Sequence, residues 1–245
     1  MKSALMLAVA GVASLAGNAA LADTGKLLLT GGVSSIDGAA GGGLTPWATI
    51  GTNATDGEIG ASAFVSRAVS QDYSLNVMGA ALGYKDRVEV SVARQDFDAS
   101  PAIALNGIAP FGVQPGQKIK MDILGLKLRV AGDAVLDSDT LMPQIAVGLQ
   151  YKNVDPGSIG SVLKFLDAKT QDTDFYVSAT KLFLAQGILV NGTLRYTRAN
   201  QNGLLGFGAA SPGKDKASWV PEVSVAYLLS KNWVVGAEYP VKPNN

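Results

Sequence analysis

Arg87-Val-Glu-Val-Ser-Val-Ala-Arg94 is the stretch that decides the fold, because polar and apolar side chains alternate along it from Arg87 to Val92. Its three valines fall on one face of an extended chain, while Glu89 and Ser91 fall on the other. A repeat of two residues indicates a β-strand, whereas an amphipathic α-helix repeats after 3.6 residues.

The same alternation recurs along most of the chain in segments of about ten residues, the length of a tilted transmembrane strand. Leu124, Leu126 and Leu128, for example, lie opposite Lys127 and Arg129. A soluble antiparallel sheet alternates in the same way, so the period alone leaves both kinds of fold open. The predicted strands are residues 25–34, 46–52, 58–67, 72–84, 87–96, 118–131, 142–151, 172–182, 188–198, 219–228 and 233–241.

The connections between these strands decide the question, because from residue 72 onward short and long joins alternate. Short turns on one side and long loops on the other are typical of an outer-membrane barrel. We therefore predict an all-β fold, an antiparallel up-and-down transmembrane β-barrel. The short or moderate joins are residues 84–87, 132–141, 183–187 and 229–232, and the long joins are residues 97–117, 152–171 and 199–218.

The number of predicted strands is odd, whereas bacterial barrels close with an even number and have both ends on the periplasmic side. We therefore expect about twelve strands, with the last one missing from this chain. In the alternative, residues 25–34 lie inside the lumen rather than in the wall, which leaves an even count.

The N-terminus has the features of a secretory signal. Lys2 supplies a positive charge, an apolar stretch follows, and Ala20-Leu21-Ala22 is a small-x-small cleavage site. We predict a cleaved signal peptide at residues 1–22 and a single barrel domain at residues 23–245. The alternative is a membrane anchor, since residues 4–22 carry no charge.

The composition narrows the function classes. The chain has no cysteine and no histidine, which removes disulfides, thiolate chemistry, His-based hydrolysis and His-ligated metals. We therefore expect no enzymatic activity, no cofactor and no metal. Acidic and basic residues are equal in number, which argues against a nucleic-acid partner. The 29 glycines and a charged fraction of only 16% fit a lipid-facing sheet.

Charged residues on the polar faces of the predicted strands are the candidates for lining the lumen. A charge that faced lipid instead would cost roughly 2–4 kcal/mol at the midplane for Arg or Lys. Two interpretations stay open, namely a paired network that fills the interior and a polar pore that selects solutes. The candidates are Glu89, Lys127, Arg129, Arg195, Glu222 and Glu238.

Three further features have more than one interpretation. The run Gly38-Ala-Ala-Gly-Gly-Gly43 lacks the Gly-Lys-Ser/Thr ending of a phosphate-binding loop, so it indicates a turn, or backbone packed closely inside the barrel. Residues 159–168 have helical spacing and form either a cap on the rim or a lid over a ligand. Aromatic residues near strand ends indicate interfacial girdles. These aromatic residues are Trp47, Trp219, Tyr227, Trp233 and Tyr239.

The chain resembles a proteobacterial family known as domain of unknown function 3034. The resemblance is carried by Gly25-Lys-Leu-Leu-Leu-Thr-Gly-Gly-Val-Ser-Ser-Ile-Asp-Gly-Ala-Ala-Gly-Gly-Gly-Leu-Thr-Pro-Trp-Ala48, by the strand at residues 88–96, and by Leu229-Ser-Lys-Asn-Trp-Val-Val-Gly-Ala-Glu-Tyr239. It implies a somewhat longer protein and supplies no activity, ligand or catalytic residue.

Three functions remain as expectations. The first is a passive outer-membrane channel for small solutes, and the second is a structural or adhesive barrel with a plugged lumen. The third is a soluble periplasmic barrel that binds a small apolar ligand. For the first two, the expected partners are outer-membrane lipid and, during biogenesis, the barrel-assembly machinery, with the oligomeric state left open.

Overall fold

The structure, a computed structural model, describes residues 32–52, 54–55, 57–70, 73–98, 118–133, 141–208, 216–230 and 233–241. The predicted signal peptide and residues 25–31 of the first predicted strand lie outside these ranges. Within them the fold is all-β with antiparallel strands, as the sequence predicts. Among these residues, no helix is long and apolar enough to cross a membrane.

Nine long strands form one curled, half-barrel sheet in which each strand pairs with its neighbours in the sequence. This up-and-down order is the one predicted for a meander joined by hairpins. Two short strands, β1 (Val33–Ser34) and β2 (Ala40–Gly41), pair only with each other. The long strands are β3 (Ile59–Val69), β4 (Ser74–Tyr84), β5 (Val88–Asp98), β6 (Lys118–Ala131), β7 (Gln144–Asp155), β8 (Gln171–Phe183), β9 (Ile188–Thr197), β10 (Ser218–Ser230) and β11 (Trp233–Pro240).

The burial of the long strands follows the sequence alternation. In β9, every second residue from Leu189 to Thr197 is buried, and the residues between them are exposed. The buried positions include Asn191 and Arg195, whereas the exposed positions include Val190 and Leu194. The concave face is therefore largely polar and buried, and the convex face is apolar and exposed, which is the reverse of a soluble sheet.

The connections sort by length in the structure as they do in the sequence. The strand ends beside residues 85–87, 132–143, 184–187 and 231–232 lie at one end of the strands, which we call the short-turn end. The strand ends beside residues 99–117, 156–170 and 198–217 lie at the opposite end, the long-loop end, together with those beside the shorter connection at residues 70–73.

A helical cap covers part of the long-loop end. It consists of a 3-10 turn (Gly157–Ile159) followed by helix α1 (Gly160–Phe165), and α1 lies within residues 159–168, which the sequence predicts to be helical. Ile159 and Leu163 are its buried residues. Ile159 and the nearby Phe207 pack on an apolar cluster of inward side chains, which supports the interpretation as a rim cap. The inward members of that cluster are Phe64, Val77, Ala93, Ile119, Met121, Ile123 and Val154.

Residues 32–52, which we call the interior segment, lie against the concave face of the sheet. The predicted wall strand at residues 46–52 is therefore wrong: Trp47 donates its backbone N–H to Ala40 O at 3.0 Å rather than to a long strand. Residues 47–50 are all at most 4% exposed. A wall strand must expose one of its two faces, whereas these residues are covered on both.

The aromatic residues divide between the two faces. Trp47 is 4% exposed and contacts Leu182 and Leu189 inside the sheet, so its predicted place in an outer girdle is wrong. The other four face outward, with Trp219 and Tyr239 at the long-loop end and Tyr227 and Trp233 at the short-turn end.

Candidate functional site

The concave face of the sheet is the candidate site, because it gathers most of the buried charged side chains of the described residues around the interior segment. Strand alternation places one inward side chain from each wall strand at every second position. Small residues let the interior segment approach these side chains closely. A Cβ at Gly51 would lie 3.1 Å from Glu89 Oε2 and 2.9 Å from Ala40 Cβ, and a Cβ at Gly42 would meet the Glu238 carboxylate.

One pair of charges holds both arms of the interior segment. Glu89 accepts hydrogen bonds from the backbone N–H groups of Ala40 (3.0 Å) and Gly51 (2.6 Å). Lys127 Nζ lies 3.1 Å from Glu89 Oε1 and donates to the carbonyls of Ala40 and Thr49, both at 2.9 Å. Both charged side chains are only 1% exposed. A buried pair is tolerated when its remaining lone pairs and protons are satisfied in this way.

A second cluster of charges surrounds Asp37, the charged side chain of the interior segment. Lys152 Nζ lies 3.2 Å from Asp37 Oδ2 and 3.1 Å from Asp174 Oδ2. Arg195 Nη1 lies 3.6 Å from each of the same two oxygens, and its Nε donates to Glu222 Oε1 at 2.6 Å. This cluster joins β7, β8, β9 and β10 to the interior segment.

Strand β11, at one edge of the sheet, binds the backbone of the interior segment at Leu44 and Thr45. Glu238 Oε2 accepts a hydrogen bond from the backbone N–H of Leu44 at 2.7 Å. Glu238 Oε1 accepts one from the backbone N–H of Thr45 (3.3 Å) and one from the hydroxyl of Ser224 (2.9 Å). Thr180 Oγ1 and Gln144 Nε2 bind the backbone of Ala48 on the opposite side, each at 2.7 Å.

The structure places all six sequence-predicted candidates on the concave face. Glu89 meets Lys127, Arg195 meets Glu222, and Glu238 meets the interior segment. Arg129 lies apart at the short-turn end, where it pairs with Asp86 (2.5 Å) and Asp133 (3.0 Å).

Sequence reasoning missed Asp37, Lys152 and Asp174. Lys152 follows the predicted strand 142–151, whereas β7 continues to Asp155. Asp174 alternates in phase with the inward Ser178 of β8, so the alternation rule could have identified it. Asp37 adjoins a glycine-rich run, and the sequence contains no signal for its partners.

Two clusters of apolar side chains flank this polar region, one towards each end of the strands. The helical cap and its cluster lie at the long-loop end. At the short-turn end, Trp47 packs with Leu182, Leu189 and Ala226. In the part of the chain that the structure describes, no group of three or more acidic side chains is arranged to hold a metal ion. The interactions of the site are ion pairs between wall side chains and hydrogen bonds to the backbone of the interior segment.

Comparison with known proteins identifies one family. A family model described as "Protein of unknown function (DUF3034)" matches residues 30–245, which covers most of the chain. Comparison with curated proteins gives no match, and comparison with solved structures gives none either. The inward-facing strands, the interior segment and the ion pairs that join them are all within the matched range, and the chain belongs to the DUF3034 family.

Proposed function

We propose that this chain is an outer-membrane β-barrel protein whose lumen is closed at rest by its own interior segment. In this proposal it is exported through a cleaved signal peptide and contacts lipid over its convex face. Its resting role is structural, and it has neither enzymatic activity nor a cofactor. Its partners are outer-membrane lipid and, during biogenesis, the barrel-assembly machinery.

The observation that carries the proposal is the arrangement of the two faces of the sheet. Along the middle of the strands, outward leucines and valines are about half exposed, for example Leu124 at 51% and Val225 at 52%. The inward positions at the same level hold buried charges such as Lys127 and Glu222. A soluble barrel that binds an apolar ligand needs the opposite arrangement, with apolar side chains inside and polar ones outside.

The sorted connections and the outward aromatic residues support the same orientation. Long loops at one end and short turns at the other match the outer and periplasmic sides of an outer-membrane barrel. Trp219 and Tyr239 at one end, and Tyr227 and Trp233 at the other, lie where two interfacial girdles belong.

The closed lumen is favoured over an open passive channel because the interior segment occupies the concave face. It bonds to wall side chains of β5, β6, β7, β8, β9 and β11, and an apolar cluster lies towards each end of the strands. An open pore of this kind would instead expose its charged lining to water.

The test is a heat-modifiability gel on the outer-membrane fraction of cells that express the protein from its natural gene. We expect the protein in that fraction, with faster migration before boiling than after it, and no conductance steps when it is reconstituted in a planar bilayer. A soluble periplasmic protein without a heat shift would overturn the membrane proposal. Steady conductance of the unmodified protein would overturn the closed lumen and leave the passive channel.

A further inference from the structure

We propose that the interior segment, residues 32–52, acts as a displaceable plug, and that its release opens a charge-lined aqueous path for small polar solutes. This inference rests on the proposed membrane-barrel function and adds its regulation. It is carried by two observations, the kind of contact that holds the segment and the balance of charge in the wall.

The wall holds the interior segment largely through the segment's backbone. Glu89, Lys127 and Glu238 all bond to its N–H or carbonyl groups rather than to its side chains. Water offers the same donors and acceptors to both partners after separation, so the net contribution of each bond is much smaller than its gross strength. The apolar anchors of the segment are few, and Trp47 is the largest of them.

The wall charges are already paired with one another without the interior segment. Glu89 lies 3.1 Å from Lys127, Asp174 lies 3.1 Å from Lys152, and Glu222 lies 2.6 Å from Arg195. These three pairs stay intact when the segment leaves, so Lys127, Lys152 and Arg195 each keep a carboxylate partner.

Asp37 is the one charged side chain in the sequence of the interior segment. It brings a third carboxylate to the two cations Lys152 and Arg195, beside Asp174 and Glu222. The cluster therefore carries one excess negative charge while the segment is docked. Asp37→Asn removes the ionic contacts of this carboxylate with Lys152 and Arg195, so we expect it to weaken the hold on the segment.

The absence of native cysteine makes a crosslinking test direct. In the double variant Gly38→Cys with Ala93→Cys, the two Cβ atoms would lie 3.0 Å apart, about 0.8 Å closer than the mean Cβ separation of about 3.8 Å in disulfides, so the crosslink requires a small shift of the segment. Because Gly38 has φ of +92°, cysteine there is strained and should itself loosen the segment. The reduced and oxidised forms carry the same substitutions, so their difference isolates the crosslink.

The readout is conductance in planar bilayers with potassium chloride as the probe solute. We expect the reduced double variant to show frequent conductance steps. The oxidised variant should show fewer than a tenth as many. Asp37→Asn should also raise the frequency of steps. Asp122→Asn is its matched control, because Asp122 forms an outward, exposed pair with Arg94 and does not contact the interior segment.

A second readout reports the movement of the segment without relying on conductance. Ser35 is 0% exposed, and its hydroxyl has no hydrogen-bond partner among the described residues, so Ser35→Cys is a conservative reporter. A water-soluble maleimide should label this thiol at least tenfold faster when Asp37→Asn is added, and the locked segment of the oxidised pair should slow that labelling again.

The possible failures separate the two proposals. A protein that reaches the outer membrane and shifts on heating, yet stays silent and unlabelled in every variant, overturns the displaceable plug and leaves the membrane barrel standing. Conductance through the oxidised, locked form overturns the plug as well, because ions would then pass an immobile segment. Recovery in the soluble periplasm overturns both.

Discussion

Gly148 in β7 stands opposite Tyr176 in β8, and the tyrosine ring occupies the space where a Cβ on Gly148 would lie. We expect Gly148→Ala to destabilise the protein by about 1–3 kcal/mol, since the ring has to move within a buried, packed face. Gly192→Ala is the control, because a Cβ there meets nothing within 4 Å. The control should stabilise the sheet slightly, as alanine is favoured over glycine in strands. Urea unfolding of the protein refolded in lipid vesicles measures both, and equal effects would contradict the assignment.

The Glu89–Lys127 pair gives a second prediction at the level of single residues. Lys127→Met leaves the Glu89 carboxylate buried without its cation, and removal of one partner of a buried pair costs about 3–5 kcal/mol. Adding Glu89→Gln should recover part of that loss, because no buried charge then remains at this position. The same unfolding assay compares the single and double variants. A double variant that is no more stable than Lys127→Met would show that the pair is not coupled.

Single residues show how far alternation predicts a site. The face assigned to Glu89, Lys127 and Glu222 in the sequence is the face they occupy in the structure. Alternation depends only on the pleat of a strand, so it fixes the face of a side chain but not its partner. The contact between Asp37 and Lys152 joins positions 115 residues apart and depends on the path of the interior segment, which no local pattern encodes.

The helical cap provides a prediction at the level of elements. Leu163 is 4% exposed, whereas Phe165 on the same short helix is 71% exposed. Leu163→Ala should therefore destabilise the protein by about 2–5 kcal/mol, as is usual when a buried leucine is truncated. Phe165→Ala should change stability by less than about 0.5 kcal/mol, as is usual for an exposed position. If the two substitutions had the same effect in thermal unfolding, the cap would not be packed on the sheet.

The interior segment shows where prediction of elements fails. Residues 46–52 contain residues that are frequent in strands, such as Trp47, Thr49 and Ile50, and this composition does not distinguish a wall strand from an extended segment buried on both faces. Only the length of this stretch and the residues that flank it distinguish it from a wall strand. This stretch has seven residues and follows the glycine-rich run at residues 38–43, whereas the sheet strands have 8–14 residues.

The orientation of the whole molecule in a bilayer leads to the next prediction. Leu126 lies at the centre of the convex face of β6, whereas Asn153 lies on the same face of β7 towards the long-loop end. Leu126→Arg should destabilise the lipid-embedded protein by about 2–4 kcal/mol, and Asn153→Arg by about 0–1 kcal/mol. Urea titration in lipid vesicles measures both values. A water-exposed convex face would instead leave both positions almost neutral.

At the scale of the whole molecule, the all-β, antiparallel, up-and-down order was predictable because hairpin connections and strand alternation are local. The filling of the interior was not predictable. It depends on hydrogen bonds between the interior segment and side chains of β5, β6, β7, β8, β9 and β11, most of them distant in the sequence. The sequence leaves only two alternatives, a lumen that is open and one that is occupied.

The hydrogen bond between Glu238 and Leu44 spans 194 positions of the chain, and the one between Thr180 and Ala48 spans 132. The entropic cost of closing a loop rises with its length, so contacts between distant residues form late and slowly. The interior segment leaves the ribosome before any strand of the sheet, yet its binding surface is complete only when β11 has paired. Assembly therefore runs against the order of synthesis: the interior segment is made before the sheet but docks after it, and the fluorescence of Trp47 should report the slowest phase of refolding.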